Sequence, residues 1–304
     1  MSESRTSQSA VVALGATVII WAYSWIVMKQ VLQYAGPFDF AALRYAAGTV
    51  LLFAVLVVLR RPLAPPPLWG TALVGISQTA LFQGLGQLAL TSGGAGHVAL
   101  LAYAMPFWAV LLAWIILGER PTRRQWIGLA LAAVGLFCVI APWQGLGSLA
   151  STIYALLGGV FWALGTVVSK RIFQRHDPDP LTFTAWQMAF GALTLIVVAF
   201  CVPQRSIEWA PAFIGGLVYA VLLATSLAWA LWLLLVRRLP TAVASVSSLA
   251  VPVVSVLMAW AILHETPTPN EWFGMAFIIA GLLAVSGIGA RSTREARPDP
   301  RSRP

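Results

Sequence analysis

The chain has 304 residues, 59% hydrophobic and only 10% charged, with a formal net charge of +9; globular proteins carry about a quarter charged residues, so a soluble enzyme of the usual kind is excluded. The basic excess does not point to nucleic acid, because Lys and Arg lie in short clusters between apolar runs and not along one helical face with interleaved aromatics. No Asp, Glu, Lys or Arg occurs between Arg61 and Glu119 or between Arg124 and Lys170, and each gap holds a hairpin of two spans of about 20 residues.

The bilayer is therefore the expected solvent and the chain reads as an all-α integral membrane protein. Uncharged length and breakers place ten transmembrane helices at 11–32, 38–59, 69–91, 95–117, 125–141, 151–172, 181–201, 211–236, 241–263 and 271–289. The breakers are Pro62, Gly93-Gly94, Pro121, Pro142, Pro178, Pro240 and Pro267. The run from Ala10 exceeds a signal-peptide core of about 7–15 residues and is expected to stay as the first span. Of the 19 Lys and Arg, sixteen fall in the termini and the loops of one side, Arg205 falls on the other, and Lys29 and Arg44 lie within spans. By the positive-inside rule both termini are cytoplasmic, as in a multi-pass protein of the cell (inner) membrane. The basic, Pro-containing tail 291–304 is expected to be disordered.

Span 1 carries Trp21 near mid-depth, where an indole N–H wants a partner or a cavity, and Lys29 toward the outer side. Span 2 carries Arg44. Both cations suit snorkelling or a pair with Asp39; the alternative is that one attracts a substrate carboxylate. In span 3, Thr79, Gln83 and Gln87 repeat every four residues, with Gln78 about 100° round the helix. Amides avoid lipid, so this stripe faces a cavity or forms an interhelical ladder. Span 4 brings Tyr103, Met105 and Pro106 together, and Pro106 leaves the Ala102 carbonyl without its helical N–H. Pro252 does the same to Ser248 in span 9, so both are candidate hinges, or plain packing kinks. Span 6 holds Trp162 and Thr166; span 7 holds Trp186 and Gln187; span 8 holds Tyr219, Thr225, Ser226 and Trp229, with inward faces undetermined for the last two spans. Trp69, Trp143, Trp209 and Trp272 sit at span ends as interfacial residues. Cys138 and Cys201 read as small core residues.

The segment Pro106–Leu136 matches Pro252–Leu282 at a constant offset of 146, with Trp114/Trp260, Glu119/Glu265, Pro121/Pro267, Trp126/Trp272, Gly128/Gly274 and Gly135/Gly281 among the identities. Earlier, Trp21 through Lys29 matches Trp162 through Lys170 at an offset of 141. The expected organisation is two five-helix repeats, 1–145 and 146–290, followed by the tail 291–304. Five is odd, so the second repeat is inverted about a pseudo-two-fold axis in the membrane plane.

The pattern Leu117-Gly118-Glu119-Arg120-Pro121, then Trp126-x-Gly128 and Gly135-Leu136, resembles the repeat of the drug/metabolite transporter superfamily in its ten-helix EamA-like branch. The segments Phe161-Trp162-Ala163 and Tyr103-x-Met105-Pro106 are similar to those of members that export aromatic and other amino acids. The resemblance implies a cavity lined mainly by spans 1, 3, 4, 6, 8 and 9. Combined with midplane depth, it nominates Trp21, Gln78, Gln83, Tyr103, Met105 and Trp162 as substrate-binding residues, with Pro106 and Pro252 as hinges and Lys29 and Arg44 as possible carboxylate-attracting groups. The expected function is export of small amphipathic metabolites, amino acids including aromatic ones, by alternating access. Drug or cationic-compound efflux is the alternative, although no Asp or Glu sits deep in a span. A lipid-modifying membrane enzyme is remote, because His97, His176 and His264 are scattered and form no metal or acid–base cluster. No phosphate loop, metal site or cofactor is expected. The expected partners are the lipid bilayer and a small-molecule substrate, with a monomer rather than an obligate oligomer.

Overall fold

The computed structural model describes residues 2–140, 148–228, 231 and 241–286, with side chains at 12–140, 148–228, 231 and 250–284. Pro142, Trp143, Trp229, Arg237, Arg238, Pro240 and the tail from Arg291 lie outside the described residues. Within them the chain is all helix: α1 Ser2–Val31, α2 Pro37–Val58, then α3 as Leu68–Val74, a wide π segment Gly75–Leu81 and Phe82–Ser92. Two pieces, Ala95–Ala102 and Met105–Leu117, make α4. There follow α5 Arg123–Ile140, α6 Leu149–His176, α7 Pro180–Cys201, α8 as Pro211–Val218 with a π segment Tyr219–Leu227, α9 Thr241–Leu263 and α10 Pro269–Ser286. Six of these are long and apolar enough to cross a membrane: Val12–Val31, Pro37–Val58, Ala95–Leu117, Arg123–Ile140, Leu149–His176 and Pro180–Cys201. Shorter apolar stretches cover Pro211–Leu227, Ala250–Leu263 and Pro269–Ala284.

The helix ends follow local chemistry. Proline opens α2, α7 and α8, where its missing N–H costs nothing. The Asp179 side chain caps α7 by accepting from the Thr182 N–H at 2.9 Å. Burial pushes the Asp179 carboxyl up, but bonds from Thr182 and the nearby Arg61 guanidinium outweigh it and hold the group below its ordinary value. Gly118 at φ 71° ends α4 and His264 at φ 57° ends α9. These two positions differ by the repeat offset of 146. Each is followed by a Glu whose N–H returns to a carbonyl six residues back, Glu119 to Ala113 at 3.3 Å and Glu265 to Ala259 at 3.2 Å. Reciprocal capping boxes then start the next helices, Thr122 with Gln125 for α5 and Thr268 with Glu271 for α10.

Large apolar side chains also cover the outside, including Phe200, Val58 and Ile115, as suits a surface bathed by lipid. Inside, small residues let helices approach backbone to backbone. A Cβ on Gly135 of α5 would stand 2.7 Å from the Gly274 carbonyl of α10, and one on Gly281 would stand 2.7 Å from the Gly128 carbonyl. Here α5 and α10 cross with Gly135 against Gly274 and Gly281 against Gly128, two contacts that the exchange of repeat-matched positions 128/274 and 135/281 interconverts. One aromatic pair recurs within each half: Trp114 meets Trp126 edge to face at 5.6 Å, and Trp260 meets Trp272 at 6.5 Å. Trp69 and Trp209 are exposed at helix ends, in line with an interfacial place. Cys201 is exposed at the end of α7, which corrects its assignment to the core, because among the described residues none covers that last turn; Cys138 is half-buried.

Candidate functional site

A cavity of about 390 Å³ lies in the middle of the bundle, within the ~300–1,000 Å³ typical of small-molecule sites. All six residues nominated from the sequence line it: Trp21, Gln78, Gln83, Tyr103, Met105 and Trp162. Arg44 and Pro106 also reach it, whereas Lys29 and Pro252 are not among its lining residues.

One wall is aromatic. The Trp162 ring stacks on Phe82 with centroids 4.7 Å apart and meets Tyr103 edge to face at 5.4 Å. These are the offset and T-shaped arrangements that ring quadrupoles favour. Opposite them, Trp21 donates its indole N–H to the Ala224 carbonyl at 3.2 Å. That carbonyl belongs to the π segment of α8, where widening of the turn loosens the helical hydrogen-bond ladder and frees acceptors. Ser226 shows the same loosening, bonding to the Val221 carbonyl five residues back.

The polar wall is set by the other π segment. A π turn advances the chain by about one extra residue per turn relative to an α turn, so over Gly75–Leu81 the four-residue stripe is re-phased. Gln78, Thr79 and Gln83 face the cavity, while Gln87 is buried away from it with Oε1 unpartnered. Thr79 is tied to α7, donating to Gln187 Oε1 at 3.0 Å. Thus Gln187 is turned to the cavity, and Trp186 points away, giving its N–H to the Leu63 carbonyl.

Arg44 is buried on α2, with Nε donating to Thr225 Oγ1 of α8 at 3.0 Å. The two bonds correspond: Arg44 and Gln187 occupy matched places in the two halves, as do Thr79 and Thr225. Each α2-type residue therefore bonds to the π-segment threonine of the opposite half. Neither span cation pairs with Asp39. Lys29 instead gives its ammonium to the Leu90 and Gly93 carbonyls at 2.6 and 2.8 Å, where the C-terminal end of α3 favours a cation. Glu265 lies within coulombic reach of its ammonium. At the arginine-bearing end of the bundle, Lys170 pairs with Glu119 at 2.7 Å. Lys29 and Lys170, like Glu265 and Glu119, are repeat counterparts.

The two prolines differ. The helix of α4 is interrupted at Tyr103 and Ala104, just before Pro106. The Ala102 carbonyl left open there faces Gly159 of α6, where a Cβ would stand 3.1 Å away. Pro252 sits inside an uninterrupted α9. At the end of the bundle opposite the arginines, His97 Nδ1 lies 2.9 Å from Glu271 Oε1. Among the described residues no group of His, Cys, Asp and Glu could hold a metal ion. Residues that sequence inspection did not nominate also line the cavity, notably Trp25, Met28, Tyr45 and Met188. The signal for the first two was present, since Trp25 and Met28 follow Trp21 at four and seven residues, on one helical face.

The sequence profile of the EamA-like transporter family matches residues 8–141 and again 149–287. A probable amino-acid metabolite efflux pump of Salmonella typhimurium is 29% identical, over 92% of this chain and 95% of its own length. The uncharacterized transporter YoaV of Bacillus subtilis is 26% identical, over 88% and 93%. The uncharacterized inner membrane transporter YedA of Escherichia coli is 24% identical, over 90% and 89%. A crystal structure of a protein shares the fold with a TM-score of 0.66 at 18% identity, covering 95% of this chain and 98% of that one.

Proposed function

The chain belongs to the EamA-like transporter family, and we propose that this multi-pass membrane transporter exports small amphipathic metabolites, amino acids with aromatic side chains among them, by alternating access around the central cavity. The observation that carries this is the cavity itself: packed rings at Trp162, Phe82 and Tyr103 and amides at Gln78 and Gln83 line the same space. Rings suit an apolar or aromatic side chain, and amides, which both donate and accept, suit a polar head. No Asp or Glu is among the lining residues, which disfavours a cationic drug as the preferred cargo.

The halves act as inverted five-helix repeats, 1–145 and 146–290, that rock about this site. The crossed pairs support this: Arg44 to Thr225 with Gln187 to Thr79, and the facing glycines of α5 and α10. Contacts exchanged between matched positions are what a two-fold axis between the halves produces. The break before Pro106 is one bending point and Pro252 its counterpart. Both termini face the cytoplasm, since the basic clusters share their side. The cavity is built within one chain, so a monomer is sufficient.

Counterflow of labelled amino acids into liposomes containing the pure protein tests the function, with and without a pH gradient. Saturable uptake of aromatic or large neutral amino acids is expected. Flux of lipophilic cations with none of any amino acid would overturn it.

A further inference from the structure

The central cavity presents a buried cation and, among its described lining residues, no anion. Arg44 is 5% exposed, and among the described residues no carboxylate pairs with it. Its neighbours are a hydroxyl, Thr225 Oγ1 at 3.0 Å, a thioether, Met28 Sδ at 3.5 Å, and the Tyr45 ring with its centroid 5.1 Å away. A guanidinium offers five N–H donors in a fork that matches a carboxylate, and these contacts use few of them and supply no formal negative charge. An unpaired charge at membrane depth is strongly unfavourable and is retained where it meets a pathway or a ligand.

Gln187 isolates what the charge is for. At the matched place in the other half it makes the corresponding bond, to Thr79, with a neutral amide. Joining the halves at this point therefore does not require a cation. What Arg44 adds beyond Gln187 is positive charge and a fork directed into a cavity shared with Trp162 and Tyr103. An ammonium placed there would meet ring faces, hydroxyls and amides, and among the described lining residues no carboxylate.

Resting on the cavity as the transport site, we infer that Arg44 anchors the carboxylate of the cargo and that the site selects aromatic monocarboxylates whether or not they carry an amino group. The ring of the cargo lies toward Trp162 and Phe82, and its carboxylate toward the α2–α8 contact.

Binding to the purified protein in detergent, measured by calorimetry, tests this with phenylalanine, 3-phenylpropionate and phenylalaninamide. The first two are expected to bind within a few fold of each other, and the amide at least ~10-fold more weakly, the scale of one lost charge-assisted hydrogen bond. Arg44→Gln, which copies the residue of the other half, is expected to bring phenylalanine down to the level of the amide. Equal binding of phenylalanine and its amide by the unaltered protein overturns the Arg44 assignment alone and leaves the transport function standing. Binding of none of the three overturns both. Should Arg44→Gln fail to fold, the three ligands on the unaltered protein still decide.

Discussion

Replacing Gly135 by alanine adds one methyl group where α5 meets α10. Its Cβ would stand 2.7 Å from the Gly274 carbonyl oxygen and 2.9 Å from the Ile278 nitrogen, whereas ordinary contact begins at 3.4 Å. A third atom, Ile278 Cγ1, would stand at 2.8 Å and could shift with its side chain, but the two backbone atoms cannot swing aside, so the helices must part by about 0.7 Å or distort. Overpacking of this kind costs about 1–3 kcal/mol, against a gain of roughly 0.5–1 kcal/mol from exchanging a helical glycine for alanine. Gly15 in α1 and Gly215 in α8 provide the control, since a Cβ on either meets nothing within 4 Å. There the same substitution should leave stability unchanged or raise it by about 0.5–1 kcal/mol. The expected separation between Gly135→Ala and Gly15→Ala is therefore about 1–3 kcal/mol, read by reversible unfolding in detergent micelles. A Gly135→Ala chain as stable as the Gly15→Ala chain would refute the close crossing, and with it one support for the two-fold relation of the halves.

Trp162→Ala removes the stack on Phe82 and the edge contact with Tyr103. With aromatic pairs worth ~0.5–1.5 kcal/mol each, aromatic cargo should weaken by about 2- to 10-fold relative to leucine in competition assays; an unchanged preference removes Trp162 from the site. Pro106→Ala returns an N–H to the position that the open Ala102 carbonyl lacks, so the α4 break should ease and the counterflow rate should fall, as it should with Pro252→Ala. Unchanged rates in both variants would end the hinge assignment. Lys170 and Glu119 form a half-exposed pair, worth no more than about 1 kcal/mol to stability. Lys170→Ala and Glu119→Gln should therefore each barely move the unfolding midpoint in detergent, and a loss well above about 1 kcal/mol in either would show that the pair is worth more than its exposure allows.

The spans were legible because charge-free length and proline punctuation are properties of the chain alone. Residues 38–59, 181–201 and 241–263 appear as Pro37–Val58, Pro180–Cys201 and Thr241–Leu263. Cavity residues were legible where polarity or an indole sits at an improbable depth, as at Trp21, Gln83 and Trp162. What escaped depends on backbone geometry that composition does not encode. The π segments of α3 and α8 re-phase their faces, so the Thr79, Gln83 and Gln87 stripe does not stay on one side: Gln87 leaves the cavity, while Gln78 and Gln83, both nominated from the sequence, line it. Tyr45 and Met188 are apolar enough to pass for packing, and only the meeting of α2 and α7 with α1 places them on the cavity wall. Lys29 and Arg44 looked alike in the sequence, yet one caps the end of α3 and the other faces the cavity.

Alternating access to the cavity is tested most directly by a single cysteine at Gln83, in a chain whose Cys138 and Cys201 are replaced by alanine. Its alkylation by a membrane-impermeant reagent would be timed from each side of sealed vesicles of known orientation. The account predicts reaction from both sides, slowed from both by an aromatic amino acid that the liposomes transport. Reaction from one side only, at a rate indifferent to every transported solute, would contradict it.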